Sequence, residues 1–285
     1  MSGPLVGKRR LRAELRRLRR DRELTQDQVA GDMEWSLSKL IRIENGTVAI
    51  SVSDLRSLLA YYSVHDAERV EDLLNLARAA KKRMWWDEYR NDLPAPLLAF
   101  TGFEHEATQI FSWSPILMPG LVQTKAYARA VNTMGDKEPD TAALERNTEF
   151  RLRRQREIFG RDDPPHFTAV IEESVLRRLP DRDRGTMREQ ITRLLELAGR
   201  PFMHLHIMPL DAGMNRGWDG SFTIMEFGDE DQVFYSQGNP SGQVLLWEEQ
   251  DTVARFRAVF SDLVGQALDE EGSVAFMRRV LTDLA

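Results

Sequence analysis

Residues 25–46 read TQDQVAGDMEWSLSKLIRIENG, and this segment constrains the fold more than any other part of the sequence. Thr25 and Ser36 are residue types that cap helix N-termini, and each precedes a short run with apolar residues at helical spacing. Gly46 follows the second run and is typical of a helix C-terminus. The segment therefore predicts two short helices joined by a tight turn.

Further helical patterns surround this segment. Residues 5–22 carry leucines at i, i+4 and i+7 spacing, which predicts a helix with one apolar face. A fourth helix is expected to open at Ser53 and Asp54, and a fifth to cover residues 67–83. Five short helices in a row predict an all-α domain over residues 1–83.

The pattern changes after residue 83. MWWDEYRNDLPAP, residues 84–96, combines charges with two prolines and predicts a junction. Residues 97–285 then mix helical and strand patterns, which predicts an α+β (mixed α/β) domain in a multidomain chain. The expected strands are residues 166–171, 202–208, 221–227 and 232–236. The expected helices lie near residues 96–108, 124–134, 140–159, 184–199, 248–268 and 273–284.

Three segments of this second domain are predicted to be irregular. SWSPILMPGLVQT, residues 112–124, is punctuated by proline and glycine and predicts a loop. GDED (residues 228–231) and GNPSGQ (residues 238–243) predict turns, the first of them within a hairpin.

The charge is divided unequally along the chain. The whole chain carries a net charge of −6, but residues 1–90 hold 18 Lys/Arg against 14 Asp/Glu, and residues 91–285 hold 21 against 31. Within residues 8–22 nine basic groups face two acidic ones. A basic segment on an acidic body favours a module that binds a polyanion, whereas a solvated helix face is the alternative.

Composition excludes several classes of protein. The chain has no cysteine, so it has no disulfide framework and no thiolate metal site. No apolar run reaches about 18 residues, and the first ten residues lack an apolar signal region, so we expect a cytoplasmic protein without a membrane span.

Residues 25–46 resemble the helix-turn-helix of the phage-repressor and Cro type, also called the xenobiotic-response-element family, and the match extends over residues 9–62. The resemblance implies that the second helix of the motif lies in the major groove of an operator. The residues expected to contact double-stranded DNA are Gln26, Ser36, Leu37, Ser38, Lys39, Ile41, Arg42 and Asn45.

These residues have different expected roles. Arg42 can donate two hydrogen bonds to a guanine edge, and Ser38 can contact several bases. By resemblance, Gln26 and Asn45 hold phosphates. Lys39 can contact either base or backbone.

Three positions depart from the family pattern and one pair is structural. By resemblance, Glu44 pairs with Arg19 of the first helix and has a structural role. Glu34 stands where a glycine is common, Trp35 replaces a small aliphatic residue, and Ile41 replaces a small polar residue.

A wider resemblance covers nearly the whole chain. SKLIRIENG, LARAAKKRMWWDEY, SWSPILMPGLVQTKAYARAV, RLRRQREIF with RDDPP, and ITRLLELAGRPFMHLHIMPLDAG are similar to one actinobacterial group of antitoxin-like transcriptional regulators. The resemblance implies a nucleoid-associated regulator with a large C-terminal domain, and a small partner protein encoded nearby.

The second domain contains a candidate binding loop. The segment PILMPGLVQT can line a partner or ligand groove, or it can be a rigid core loop in which Thr124 caps the next helix. Its candidate contact residues are Pro115, Leu117, Pro119, Gly120, Leu121, Gln123 and Thr124.

Other tempting sites have simpler interpretations. His204 and His206 share one face of a predicted strand, but no further metal motif accompanies them, so we expect no metal and no cofactor. The basic run RLRRQRE, residues 151–157, predicts a solvated face or internal ion pairs more than a second DNA site. No recognised catalytic constellation is present, so an enzyme is the weakest hypothesis.

Two functions compete. The first is a sequence-specific DNA-binding regulator controlled through residues 97–285, which also form a homodimer on a palindromic operator. The second is an interaction protein that sequesters a small partner and uses DNA binding for autoregulation. The apolar residues expected at the dimer surface are Ile191, Leu194, Leu195, Leu197, Val274, Phe276, Met277 and Leu281.

Overall fold

The computed structural model describes residues 3–134, 140–228, 232–237, 244–247 and 250–284 of the 285-residue chain. The chain divides into two compact units, Met1–Asp87 and Glu88–Ala285. The division falls within the segment predicted as a junction, residues 84–96. The first unit is all-α and the second combines a sheet with helices, so the predicted fold class is confirmed.

Five α-helices form the first unit: α1 (Pro4–Arg20), α2 (Gln26–Asp32), α3 (Leu37–Glu44), α4 (Val52–Tyr61) and α5 (Ala67–Ala79). The prediction that the fourth helix opens at Ser53 and Asp54 is wrong, because the Ser51 hydroxyl caps it by accepting a hydrogen bond from the Asp54 amide at 3.0 Å. The fifth helix ends at Ala79, four residues before the predicted end.

One apolar core holds these helices together. The predicted leucine face of α1 is buried, and Leu40 and Ile43 of α3 are buried beneath it. Ala30 of α2 is also buried, and its small side chain allows α2 and α3 to approach closely. Burying a leucine or isoleucine side chain stabilises the fold by about 1.5–3 kcal/mol, so these positions fix how α3 is presented.

The second unit is built on a six-stranded mixed sheet in the order β3-β2-β1-β4-β5-β6. Its strands are β1 (Gln109–Ser114), β2 (His166–Glu172), β3 (Met203–Met208), β4 (Phe222–Glu226), β5 (Gln232–Gln237) and β6 (Val244–Trp247). The first three strands are parallel and the last three pair antiparallel. Four of these strands match predicted ones. The strand β6 was not predicted, and the predicted turns lie outside the described residues except for Gly228.

The prediction that residues 112–124 are wholly a loop is wrong. Ser112–Ser114 belong to β1, which pairs with β2 on one side and with β4 on the other. Both neighbours are distant in sequence, and the strand is central in the sheet. The structure of Ser112–Ser114 is therefore decided by pairing with two distant strands. The nearby prolines and glycine, which predict a loop, do not prevent this pairing.

The helices of the second unit pack around this sheet. They are α6 (Ala95–Glu106), α7 (Lys125–Asn132), α8 (Thr141–Phe159), α9 (Glu173–Arg177), α10 (Arg184–Leu197), α11 (Gln250–Gln266) and α12 (Glu270–Asp283). On one side of the sheet, Val253, Phe260 and Leu263 of α11 pack in one core with Trp113 and Val170. No described helix is long and apolar enough to span a membrane.

The prediction that α10 and α12 offer spare apolar surface for dimerisation is wrong for most of its residues. Helix α10 packs against α12, and α12 packs against β3. As a result Ile191, Leu194, Leu197, Phe276 and Met277 are buried inside the unit. The remaining three, which are half-buried, are Leu195, Val274 and Leu281.

Candidate nucleic-acid interface

Two N-caps hold the motif helices α2 and α3. The Thr25 hydroxyl accepts from the Gln28 amide at 3.2 Å, and the Gln28 side chain accepts from the Thr25 amide at 2.8 Å, which completes a capping box. The Ser36 hydroxyl accepts from the Lys39 amide at 3.2 Å. Ser36 is therefore placed as the cap of α3, and each cap fixes where its helix begins.

The turn between these helices is a Schellman motif with glutamate, and not glycine, at its left-handed position. The Glu34 amide donates to the Gly31 carbonyl and the Trp35 amide donates to the Ala30 carbonyl, at 3.1 and 2.8 Å. Glu34 adopts a φ of 55°, in the left-handed region that favours glycine. The departure from the family pattern at Glu34 therefore leaves the turn intact, at some conformational cost.

The helix α3 separates its core residues from its outer residues. Leu40 and Ile43 are buried, whereas Ser38 and Arg42 are exposed and Ile41 is half-buried. Leu37 is 40% exposed although it is a large apolar residue. Four of the predicted DNA-contacting residues thus lie on the outer side of α3: Leu37, Ser38, Ile41 and Arg42.

Lys39 is held on the protein surface by two contacts. Its Nζ lies 3.1 Å from the Asp54 carboxylate of α4 and 4.0 Å from the centre of the Trp35 ring. An ion pair and a cation–π contact together restrain the side chain. Trp35, the second departure from the family pattern, supplies the aromatic surface for this contact.

A buried carboxylate joins three helices behind the outer face of α3. Glu44 is 1% exposed and accepts from Arg19 Nε at 2.7 Å and from Arg19 Nη2 at 3.0 Å. Arg19 also donates to the Leu24 carbonyl at 2.9 Å. The hydrogen bond with Glu44 raises the pKa of Arg19 above its ordinary value. The structure thus brings the predicted pair together in a bidentate ion pair.

Gln26 belongs to the same network. Its Nε2 donates to Glu44 Oε2 at 2.7 Å, so one amide hydrogen is engaged inside the protein. Gln26 is the first residue of α2, where the leading backbone N–H groups have no acceptor within the helix. The second side-chain N–H and these backbone groups are the ones that suit an anion such as a phosphate.

Helix α1 lies beside the C-terminal end of α3. Asn45 caps α3, and its Oδ1 accepts from Arg16 Nη2 at 3.1 Å. Gly46 has a φ of 72°, and a Cβ added there would lie 3.4 Å from Arg12 Cδ and 3.7 Å from Lys8 Cε. The basic residues Lys8, Arg12 and Arg16 therefore border the end of α3.

The candidate partner loop of the second unit is mostly buried. Pro119, Leu121, Gln123 and Thr124 have less than a tenth of their surface exposed, whereas Pro115, Leu117 and Gly120 are half-buried. The burial of these four side chains favours the alternative of a rigid core loop, and contact of the loop with a partner stays a prediction. The rigid core loop is the better description.

Glutamine side chains hold this loop from neighbouring helices. Buried Gln190 of α10 donates to the Val122 carbonyl and accepts from the Thr124 amide, both at 2.8 Å. Gln155 of α8 donates to the Gly120 carbonyl at 2.9 Å and to the Gln123 carbonyl at 2.8 Å. These bonds satisfy buried backbone groups that a loop otherwise leaves unpaired.

A known family matches residues in each of the two units. A helix-turn-helix domain family matches residues 10–73. The family described as "Domain of unknown function (DUF5753)" matches residues 97–279, which is more than half of the chain. The chain belongs to the DUF5753 family. No curated protein and no solved structure matches it. The two matches support a helix-turn-helix regulator with a DUF5753 domain at its C-terminal side.

The DUF5753 domain buries an acid between arginines. Glu104 of α6 lies 3.2 Å from Arg154 Nε of α8, and both residues are buried. Burial raises the pKa of Glu104 to about 7, although Arg154 and Arg151 lower it. The Arg154 guanidinium occupies the space that a side chain at Gly120 would need.

The basic run 151–157 forms ion pairs within the second unit. Arg154 forms the buried pair with Glu104 described above. In addition, Arg153 Nη1 lies 2.8 Å from Glu88 Oε2, and Arg156 Nη2 lies 2.6 Å from Glu149 Oε1. Of the two predictions for this run, a solvated face or internal ion pairs, these contacts favour internal ion pairs.

The histidines of β3 have partners within the DUF5753 domain. His204 Nδ1 lies 2.8 Å from Glu270 Oε1, and His206 Nδ1 lies 3.0 Å from the Leu268 carbonyl oxygen. The ring of His204 also stacks on the ring of His166, with 5.8 Å between the ring centres. In the described part of the chain no group of three His, Cys, Asp or Glu side chains could hold a metal ion.

Sequence reasoning missed an exposed apolar loop in the DUF5753 domain. Between β3 and β4, Met214 is 97% exposed and Trp218 is 80% exposed. The backbone between them is anchored, because the Gly217 carbonyl accepts from Trp113 Nε1 at 2.8 Å. Arg216 also pairs with Asp262 of α11 at 2.5 Å. The available signal was a tryptophan within the turn-forming sequence NRGWDG.

Proposed function

We propose that this protein is an antitoxin-like transcriptional regulator that binds a specific DNA operator through α3. The observation that carries the proposal is the outer side of α3, where Ser38 and Arg42 are exposed next to Leu37. A bidentate arginine and a hydroxyl are the side chains that read base edges in the major groove. The Arg19–Glu44 pair behind them holds α3 in one position.

The charge distribution supports the same proposal. Residues 1–90 carry a net charge of +4 and residues 91–285 carry −10. DNA phosphates attract the first segment and repel the second, so the charge orients the protein on DNA. Lys8, Arg12 and Arg16 border α3 on the positively charged segment.

We further propose that the protein is a cytoplasmic, nucleoid-associated homodimer and not an enzyme. A single helix-turn-helix reads few base pairs, and two copies on a palindromic operator gain affinity and specificity. Light scattering of the full chain at tens of micromolar tests this, and twice the 32.8 kDa chain mass is expected. A mass of one chain contradicts the homodimer.

Selection of duplexes from a random DNA pool tests the DNA-binding function. The full chain is expected to enrich one motif with two related half-sites about one helical turn apart. The affinity for the enriched duplex should fall steeply with salt, because phosphate contacts release counterions. A pool that remains random after several rounds contradicts the proposal.

A second function, control through a partner protein, is favoured by the exposed loop of the DUF5753 domain. Leu210, Met214 and Trp218 are exposed apolar residues on an anchored backbone, which is typical of protein-binding surfaces. The acidic charge of residues 91–285 fits a small basic protein. The wider family resemblance implies that a small partner protein is encoded nearby, and its basic charge is part of the present proposal.

Co-purification with the product of the adjacent small gene tests partner binding. The full chain is expected to retain this protein, and Trp218→Ser is expected to lose it. Met134→Ser is the matched control, because Met134 is 66% exposed and lies elsewhere in the same unit. Equal retention by wild type and Trp218→Ser contradicts binding at this loop.

A further inference from the structure

The outer side of α3 carries two ridges of different chemistry. Ser38 and Arg42 are four residues apart and form a polar ridge, whereas Leu37 and Ile41, also four apart, form an apolar ridge beside it. Residues at this spacing lie on the same face of a helix. The polar ridge suits hydrogen-bonding base edges, and the apolar ridge suits an apolar group of a ligand.

The apolar ridge lies outside the hydrophobic core of the first unit. Among the described residues of the first unit, Leu37 is the one large hydrophobic side chain classed as exposed. Neither Leu37 nor Ile41 belongs to the core cluster of this unit, although Met33 and Trp35 nearby pack against it. A leucine held in water beside Ser38 and Arg42 gains stability only when a ligand covers it.

The major groove offers one apolar group on standard DNA bases, the C5-methyl of thymine. We propose that Leu37 and Ile41 recognise thymine methyl groups next to the base pair contacted by Arg42. This inference rests on the proposed DNA-binding function and adds the composition of the half-site. Leu37 and Ile41 are separated by about 6 Å along the helix, so they contact methyl groups of different base pairs.

Replacement of thymine by uracil tests the inference, because it removes only the methyl group. The probe is the duplex enriched by the wild-type full chain from a random pool, with each thymine replaced in turn. Loss of one buried methyl group should weaken binding about fourfold at one or two positions. In Leu37→Ala or Ile41→Ala, the penalty should vanish at the position that the altered residue contacts.

Two comparisons keep the outcomes distinct. Arg42→Gln is expected to lose guanine preference and to keep the thymine-to-uracil penalty. Thermal melting of Leu37→Ala should match the wild type, because the side chain is outside the core. A motif that is enriched but insensitive to every uracil replacement overturns the inference and leaves DNA binding standing. A penalty that persists unchanged in both alanine variants also overturns it. A protein that enriches no motif overturns both proposals.

Discussion

At the scale of single residues, the position of α3 depends on one buried carboxylate. Glu44 accepts hydrogen bonds from Arg19 and Gln26, which belong to two other helices. It therefore ties the start of α2 and the end of α1 to the last turn of α3. A carboxylate buried in this way is held by its partners, and its loss leaves Arg19 without compensation.

Glu44→Ala is expected to destabilise the protein by up to about 3–5 kcal/mol, because it removes the buried carboxylate that pairs with the half-buried guanidinium of Arg19. Thermal or urea unfolding of the full chain measures the effect on the first unit. Glu68→Ala is the control, since Glu68 is exposed in the same unit and should change stability little. An unaltered melting temperature combined with lost DNA binding would contradict the stabilising role assigned to Glu44.

At the scale of secondary-structure elements, the 115–124 loop is fixed by the helices around it. Gln190→Ala is expected to destabilise the DUF5753 domain by about 2–4 kcal/mol, because two buried backbone groups lose their partners. Glu189→Ala on the exposed side of α10 is the matched control. Equal melting temperatures for Gln190→Ala and wild type would mean that the loop does not depend on this bond pair.

The contact between α6 and α8 predicts a pH dependence of stability. Glu104 keeps its proton in the folded state up to about pH 7, whereas its ordinary pKa is 4.5. Below pH 4.5 both states hold the proton. Between pH 4.5 and 7 the unfolded state loses it first, so stability falls as pH rises, by roughly 3 kcal/mol at most. Above pH 7 the loss is complete.

Urea unfolding of wild type and Glu104→Gln at several pH values isolates this contribution, because other carboxylates affect both proteins equally. The stability of the variant relative to wild type should rise between pH 5 and pH 7.5. Parallel pH profiles would show that Glu104 remains ionised in the folded protein throughout this range.

The elements that could be predicted from the sequence are those encoded locally. Thr25 and Ser36 cap helices within three residues, so the limits of α2 and α3 follow from spacing. The strand β1 depends on β2 and β4, which lie more than 50 and 100 residues away, and no local pattern reveals it. Likewise, the burial of Thr124 depends on Gln190, 66 residues further along the chain.

At the scale of the whole molecule, charge and surface chemistry assign different tasks to the two units. The first unit combines basic α1 with the exposed residues of α3, and the acidic second unit exposes an apolar loop. Because α10 and α12 bury their apolar faces, the proposed homodimer has to use other surface. The sequence could not predict this, since buried and dimer-forming apolar helix faces have the same pattern.

The claim that α3 reads DNA bases is tested most directly by the motif that Arg42→Ala enriches from a random duplex pool. The variant is expected to keep most of the wild-type motif and to lose preference at one base position, with a cost of about 1–3 kcal/mol. Arg56→Ala is the control, because Arg56 is also exposed but pairs with Glu71 of α5, and it should enrich the wild-type motif. An identical motif of identical strength from Arg42→Ala and wild type would contradict base reading by α3.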